Sequence, residues 1–255
     1  MNMNKIKQLK TRKKHDPILE GNNKSYLTVG YFPKDELKKL LPKHMSIPSD
    51  DIMNKEYPTI TKQNGKHPFL MMFSNCFNVH DIITEIDLRP YKEIMFFIPV
   101  IYTYKGEGQI CSYIPELYLD YLIGVIGGLY LGLRKHFHPR MINKRDELSE
   151  SFFIKNILNV NFTDISTENK NELDFFFKQI FKFPAITRSY FNRIRFYQNN
   201  VYTSKVVDAS SQFKWKYKEV IIQNDEKPLS CYAEYNFTTS QAMSYNSFFH
   251  PKHKK

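Results

Sequence analysis

The chain has 255 residues, enough for one large domain with a sizeable core, and with 42% hydrophobic and 15% aromatic residues it reads as globular. Its formal charge of +11 sits mostly at the ends: residues 1–14 carry Lys5, Lys7, Lys10, Arg12, Lys13 and Lys14 with no acid, and Lys252, Lys254 and Lys255 close the chain, which leaves the body at +2. A body so close to neutral argues against a specific nucleic-acid partner, and nine glycines with no G-x-G-x-x-G or P-loop pattern argue against a glycine-rich phosphate site.

Cys76, Cys111 and Cys231 are scattered thiols, an odd number without C-x-x-C spacing, so neither a disulfide framework nor a zinc site is expected. The eight histidines form no H-E-x-x-H or H-x-x-x-H pattern, and no metal is expected. The basic N-terminus lacks an apolar segment behind it and does not read as a secretory signal. Leu117–Leu133 is mostly apolar but is broken by Asp120 and several glycines, a poor fit to a membrane span. A cytoplasmic location follows as the expectation.

In chain order, residues 1–20 read as a basic arm, 21–248 as one domain, and 249–255 as a basic tail. Ser25–Tyr31 alternates and predicts a strand. Pro33–Leu41 predicts a short amphipathic helix with Leu37, Leu40 and Leu41 on one face, stopped by Pro42. The polar stretch from there to His67 reads as loop. Phe69–Val79 and Ile94–Tyr104 are apolar strands, and Lys105-Gly-Glu-Gly108 is the turn into Gln109–Leu119. Residues 122–133 read as a buried segment of helical length. After Arg140 the chain is polar to about Lys170. Asn171–Phe181 then predicts a helix with Leu173, Phe177 and Ile180 together, ended by Pro184. Gln212–Lys218 alternates aromatics with lysines, which fits a sheet edge with one wet basic face or, alternatively, a nucleic-acid surface. The fold class expected is α+β: a single domain of mainly antiparallel β, with a few helices.

One constellation carries chemistry. Tyr91-Lys-Glu93 opens an apolar strand that ends in Pro99-Val100. Tyr118-Leu-Asp120 follows the next strand, and then come Gly127, Gly128 and Gly132-Leu-Arg-Lys-His136. Upstream stands Asn23-Lys24-Ser25-Tyr26. In order and spacing this resembles the acetoacetate decarboxylase family over roughly residues 20–140. That family has Asn-Arg-x-Tyr, Tyr-x-Glu, Tyr-Leu-Asp and a glycine-led helix ending in Gly/Ala-x-Pro-Lys-Lys.

The resemblance implies a curved, barrel-like antiparallel sheet, a homo-oligomer and a cofactor-independent enzyme. Lys135 matches the lysine that forms a Schiff base with a keto acid substrate. Glu93 matches an active-site acid, and Lys24 stands where the family has an arginine that handles the substrate carboxylate. Asn75 takes the position of a second family glutamate, His136 that of the second lysine, and Arg134 that of the proline. One residue is missing between Asp120 and Lys135.

In water a lysine amine is almost wholly protonated at neutral pH; burial or a neighbouring cation frees it. On this reading Arg134, always charged, together with burial against Leu131 and Leu133, keeps the amine free at neutral pH, and His136 adds to this only in acid. The simplest reaction implied is decarboxylation of a β-keto acid. Aldol or dehydration chemistry on a keto acid, and a non-catalytic binder that kept the pocket, are the alternatives. Taken alone, Lys135 reads as a surface lysine, Glu93 as a solvated strand-end acid and Lys24 as part of a basic tail.

Overall fold

The computed structural model of the protein describes residues 17–60, 62–131, 133–145, 149–168, 171–188, 194–224 and 228–242. The basic stretches 1–14 and 249–255 lie outside the described residues. In chain order the elements are β1 (Pro17–Pro33), α1 (Lys34–Leu40), β2 (Met45–Ser46), α2 (Asp50–Glu56), β3 (Lys66–Asp81), β4 (Ile86–Leu88), β5 (Tyr91–Tyr104), β6 (Glu107–Tyr113), β7 (Leu117–Leu119) and α3 (Leu122–Leu131). There follow β8 (Lys135–Phe137), β9 (Ile142–Arg145), β10 (Ser149–Ile154), β11 (Leu158–Thr163), α4 (Asn171–Lys182), β12 (Ala185–Arg188), β13 (Ile194–Asp208), β14 (Ser210–Tyr217), β15 (Val220–Gln223) and β16 (Ser230–Ala242).

The larger sheet runs β4-β3-β1-β16-β13-β12-β6-β5-β7-β8, and a further β3–β5 pairing closes β3, β1, β16, β13, β12, β6 and β5 into a ring. All its pairings are antiparallel except β12 with β6 and β7 with β8. The expected mainly antiparallel, barrel-like fold with a few helices is what the chain adopts. The β5–β6 hairpin turns on Lys105 and Gly106, both at positive φ (50° and 87°), the geometry a two-residue hairpin loop requires.

The ring has two buried faces, which is why its strands read as near-continuous apolar runs. Phe69, Leu70, Met71, Met72 and Phe73 are all at most 1% exposed. Alternate residues serve two cores. Leu27, Leu70, Met72 and Phe97 point inward and meet the apolar face of α4: Leu173, Phe176, Phe177 and Ile180. Tyr26, Phe69, Phe73 and Phe96 point outward and meet the second sheet, β15-β14-β11-β10-β9, through Phe152, Phe162, Phe213 and Trp215. Trp215 stacks on Phe96 with ring centroids 4.0 Å apart.

Several expectations are corrected. The first strand begins at Pro17, inside the span read as arm, because its Gly21-Asn-Asn-Lys24 stretch pairs on both sides with β3 and β16 despite its polarity. Within the expected loop lies α2, a seven-residue helix capped by Ser49, whose hydroxyl accepts from Ile52 N (3.4 Å). The polar stretch after Arg140 contains β9, β10 and β11. The alternation of β14 is real, with Phe213, Trp215 and Tyr217 buried between exposed lysines, but β14 is an inner strand and β15 is the edge. Finally, α3 is not buried all round: Leu122, Ile123 and Ile126 are 50%, 59% and 47% exposed. No helix among the described residues is long and apolar enough to cross a membrane.

Candidate active site

Cross-strand register builds the site in rows on the inner face of the ring. Asn23 on β1 lies opposite Tyr235 on β16 and Cys76 on β3, and Cys76 lies opposite Tyr91 on β5. The next row is Ser25, Ser74, Glu93 and Leu119. The third is Met72, Met95, Leu117 and Lys135. Side chains two residues apart share a face, so these rows face one space, which the first and third rows line in full and the second through Glu93. That space is a cavity of about 100 Å³, and both Lys135 and Glu93 line it. Most of its wall is apolar, with Ile114, Leu117, Leu133 and Phe181 among its members.

Lys135 reaches the cavity from β8, the short strand after α3. Its methylenes occupy the space that a side chain on residue 128 would need: a Cβ on Gly128 would come within 2.3 Å of Lys135 Cδ. Leu133 N donates to Gly128 O (2.8 Å), which closes the helix end and turns the chain toward β8. Glu93 is held from the other side. Lys92 N donates to Asp120 Oδ1 (2.7 Å), so the aspartate of Tyr118-Leu-Asp120 fastens β7 to β5 beside the glutamate.

Burial raises the Glu93 carboxyl above the ordinary carboxylate range, and the Lys135 charge pulls it partly back. Burial likewise pushes the Cys76 thiol and the Tyr91 phenol well up, so both are neutral at physiological pH. Tyr235 Oη accepts from Asn23 Nδ2 (3.0 Å) and Ser25 Oγ (3.2 Å) and donates to Met72 Sδ (3.5 Å). Among the described cavity-lining residues Lys135 is the one cation and Glu93 the one acid. An amine beside a carboxyl that favours its neutral form, walled by apolar groups, suits addition to a carbonyl with a proton donor at hand.

Four sequence-predicted site residues fall elsewhere. Lys24 and Asn75 pair with each other across β1 and β3, and neither lines the cavity; their neighbours Asn23 and Cys76 do. Arg134 and His136 flank Lys135 in the chain, and neither lines the cavity. The Arg134 charge is felt by Tyr113, Glu116, Tyr118, Tyr217 and His136. His136 packs against the Tyr118 ring (5.3 Å), and Tyr118 Oη donates to the Glu116 carboxylate. The Leu131 side chain lies outside the described residues, while Leu133 lines the cavity. Sequence reasoning missed Asn23, Cys76 and Tyr235. A period-2 count along β1 and β3 from Ser25 and Ser74 is the signal that finds the first two. Among the described residues no group of three or more His, Cys, Asp or Glu is placed to hold a metal ion.

No protein-family model matches the chain, and no curated relative does. Solved structures do. An acetoacetate decarboxylase aligns at TM-score 0.64 and 12% identity, over 96% of this chain and 99% of that one. The acetoacetate decarboxylase of Legionella pneumophila aligns at TM-score 0.63 and 11% identity, over 92% and 91%. The enduracididine biosynthesis enzyme MppR, solved with the condensation product of pyruvate and imidazole 4-carboxaldehyde, aligns at TM-score 0.56 and 11% identity, over 91% and 90%. Along nearly its whole described length, the chain has the acetoacetate decarboxylase-like fold.

Proposed function

We propose that the protein is a cofactor-independent enzyme in which Lys135 forms an imine with a keto acid, most simply to decarboxylate a β-keto acid. The observation that carries this reading is the placement of Lys135 and a buried Glu93 in one apolar cavity. The amine adds to the ketone carbonyl, water leaves, and a protonated imine remains. The bond to the carboxylate then breaks, its electron pair moves toward the imine nitrogen, and CO2 departs. The resulting enamine takes a proton on carbon, and water releases the ketone and restores the amine. Glu93, whose burial favours the neutral form, supplies and recovers the proton. Because Lys24 faces away, the substrate carboxylate meets largely apolar walls. A charge so poorly solvated is lost more readily as CO2 than it would be in water.

Borohydride reduction in the presence of a panel of keto acids tests the reading. The expected result is one substrate-derived mass increment on the peptide holding Lys135, absent from Lys135→Ala. Increments elsewhere would sink the lysine assignment, and no increment with any keto acid would leave a non-catalytic binder. The homo-oligomer implied by the resemblance and the cytoplasmic location expected from the sequence stay proposals. The exposed Leu122, Ile123 and Ile126 of α3 supply an apolar surface that a second copy would cover, a point sedimentation equilibrium decides.

A further inference from the structure

Asn23 is 6% exposed and lines the cavity that holds Lys135 and Glu93. Its amide is half satisfied. Nδ2 donates to Tyr235 Oη (3.0 Å), and Oδ1 has no hydrogen-bond partner in the protein. A buried carbonyl oxygen without a donor is costly, and a chain that keeps one beside a cavity gains when a ligand supplies the donor. The amide is also pinned. Tyr235 Oη, which it grips, is fixed in turn by Ser25 and by Met72, and Ser25 Oγ is 2.8 Å from Ser74 Oγ. This network leads from Asn23 into the row that contains Glu93.

We infer that Asn23 Oδ1 is the acceptor for a hydroxyl group of the ligand, so that the cavity takes a hydroxylated ketone or keto acid rather than the plain carbonyl compound. The carbonyl goes to Lys135 and the hydroxyl to Asn23; only the first half rests on the proposed imine chemistry. A neutral donor fits better than a cationic one. The walls are mostly apolar and would solvate a cation poorly. The spacing argues for a ligand of several carbons. Register places Asn23 two strands across and one row along from Glu93, on the order of 12 Å between Cα atoms at ordinary sheet spacings.

The test uses the full chain and three probes: 4-hydroxybutan-2-one, 6-hydroxyhexan-2-one and 8-hydroxyoctan-2-one, each against its deoxy parent. Two readouts are taken. One is the concentration dependence of borohydride trapping at Lys135. The other is the shift in melting temperature of Lys135→Met, which cannot form an imine but keeps Asn23. At least one hydroxyketone should half-saturate about tenfold below its parent, and the same probe should shift the Lys135→Met melting temperature more than the parent does. Asn23→Leu should abolish both preferences without lowering the melting temperature of the free protein. Asn23→Asp, which keeps an acceptor oxygen, should retain them. Equal behaviour of every pair, a preference that survives Asn23→Leu, or no binding by any probe overturns the inference. Failure of trapping with the hydroxyl preference intact in Lys135→Met overturns the imine reading and leaves Asn23 standing.

Discussion

Gly128 and Lys135 share one volume: the methylenes of the lysine fill the place where a side chain on the glycine would stand, with Cδ, Cε and Cγ at 2.3, 2.8 and 2.9 Å from a Cβ built there. The helix tolerates alanine at this position better than glycine, by about 1 kcal/mol. Gly128→Ala should therefore leave the fold intact while pushing the lysine out of its path. The expected outcome is a melting temperature within a few degrees of wild type and a tenfold or greater loss in the rate of imine trapping. Unchanged trapping would mean that the lysine reaches the carbonyl by another route.

Glu93→Gln separates a buried neutral acid from a buried charge. The folded carboxyl titrates above the usual 4.5, chiefly because of burial. An unfolded chain gives up that proton first, so wild-type stability falls as pH rises from 4.5 to the folded value and levels off beyond it. The glutamine variant has no proton to lose. Its melting temperature relative to wild type should climb across that window, as followed by calorimetry from acid to neutral pH. A flat difference would show that Glu93 is no more reluctant to ionise than a surface acid. Activity should fall as well, since the amide cannot shuttle a proton.

Motif spacing singles out Lys135 and Glu93, and both line the cavity. It also singles out Lys24 and Asn75, which do not line it, because a strand reverses its side-chain direction at every residue. One step along β1 or β3 separates the cavity face from the opposite face. The long strands of the ring are legible as apolar runs and its closure only through the family resemblance, whereas β10 and β11 are hidden by Ser149, Ser151, Asn159 and Asn161, none of them buried. In α3 composition misled: ten residues without a charge looked buried, although Leu122, Ile123 and Ile126 are exposed while Gly124 lies against Leu119 and Tyr121 and Gly128 against Lys135.

His67 sets an acid limit on stability away from the cavity. It is 1% exposed, its Nε2 lies 2.8 Å from Pro99 O, and burial lowers its pKa from 6.5 to about 4. Between those values the unfolded chain binds the proton that the folded one refuses, so stability falls as pH drops from 6.5 to 4. The loss amounts to at most about 3 kcal/mol. His67→Gln can still donate to the carbonyl and does not titrate. Denaturant unfolding of this variant should show a shallower decline over the same range; an identical decline would place the acid sensitivity elsewhere.

Gly30 marks where the ring meets the second sheet. A Cβ there would come within 2.4 Å of Phe69 Cζ and 2.8 Å of Phe213 Cζ, and those two rings pack edge to face with centroids 6.2 Å apart. Both rings are buried, so neither can swing aside freely. Gly30→Ala should cost about 1–3 kcal/mol in chemical denaturation through overpacking. A gain in stability, as expected for a strand glycine with open space, would show that the two sheets slide to make room.

The last prediction concerns the cations around Lys135. Sequence alone suggests that Arg134 works on the amine at neutral pH and His136 in acid. Neither side chain lines the cavity, and Arg134 is exposed, where water and salt weaken its reach. Its neighbours are on the other side. His136 is half buried, and its pKa is lowered first by burial, then by the Arg134 charge, then by His138. Arg134→Ala removes one repelling charge, so the His136 pKa should rise toward 6.5, as followed by the NMR titration of its ring protons. The pH profile of borohydride trapping should stay as in the wild type, because the arginine does not line the cavity. A profile displaced by a unit or more with His136 unmoved would return the arginine to the role its sequence position suggests. A displaced profile in His136→Ala at pH 8, where an imidazole with a lowered pKa is neutral, would mean the ring acts by packing against Tyr118 and β8 rather than by charge.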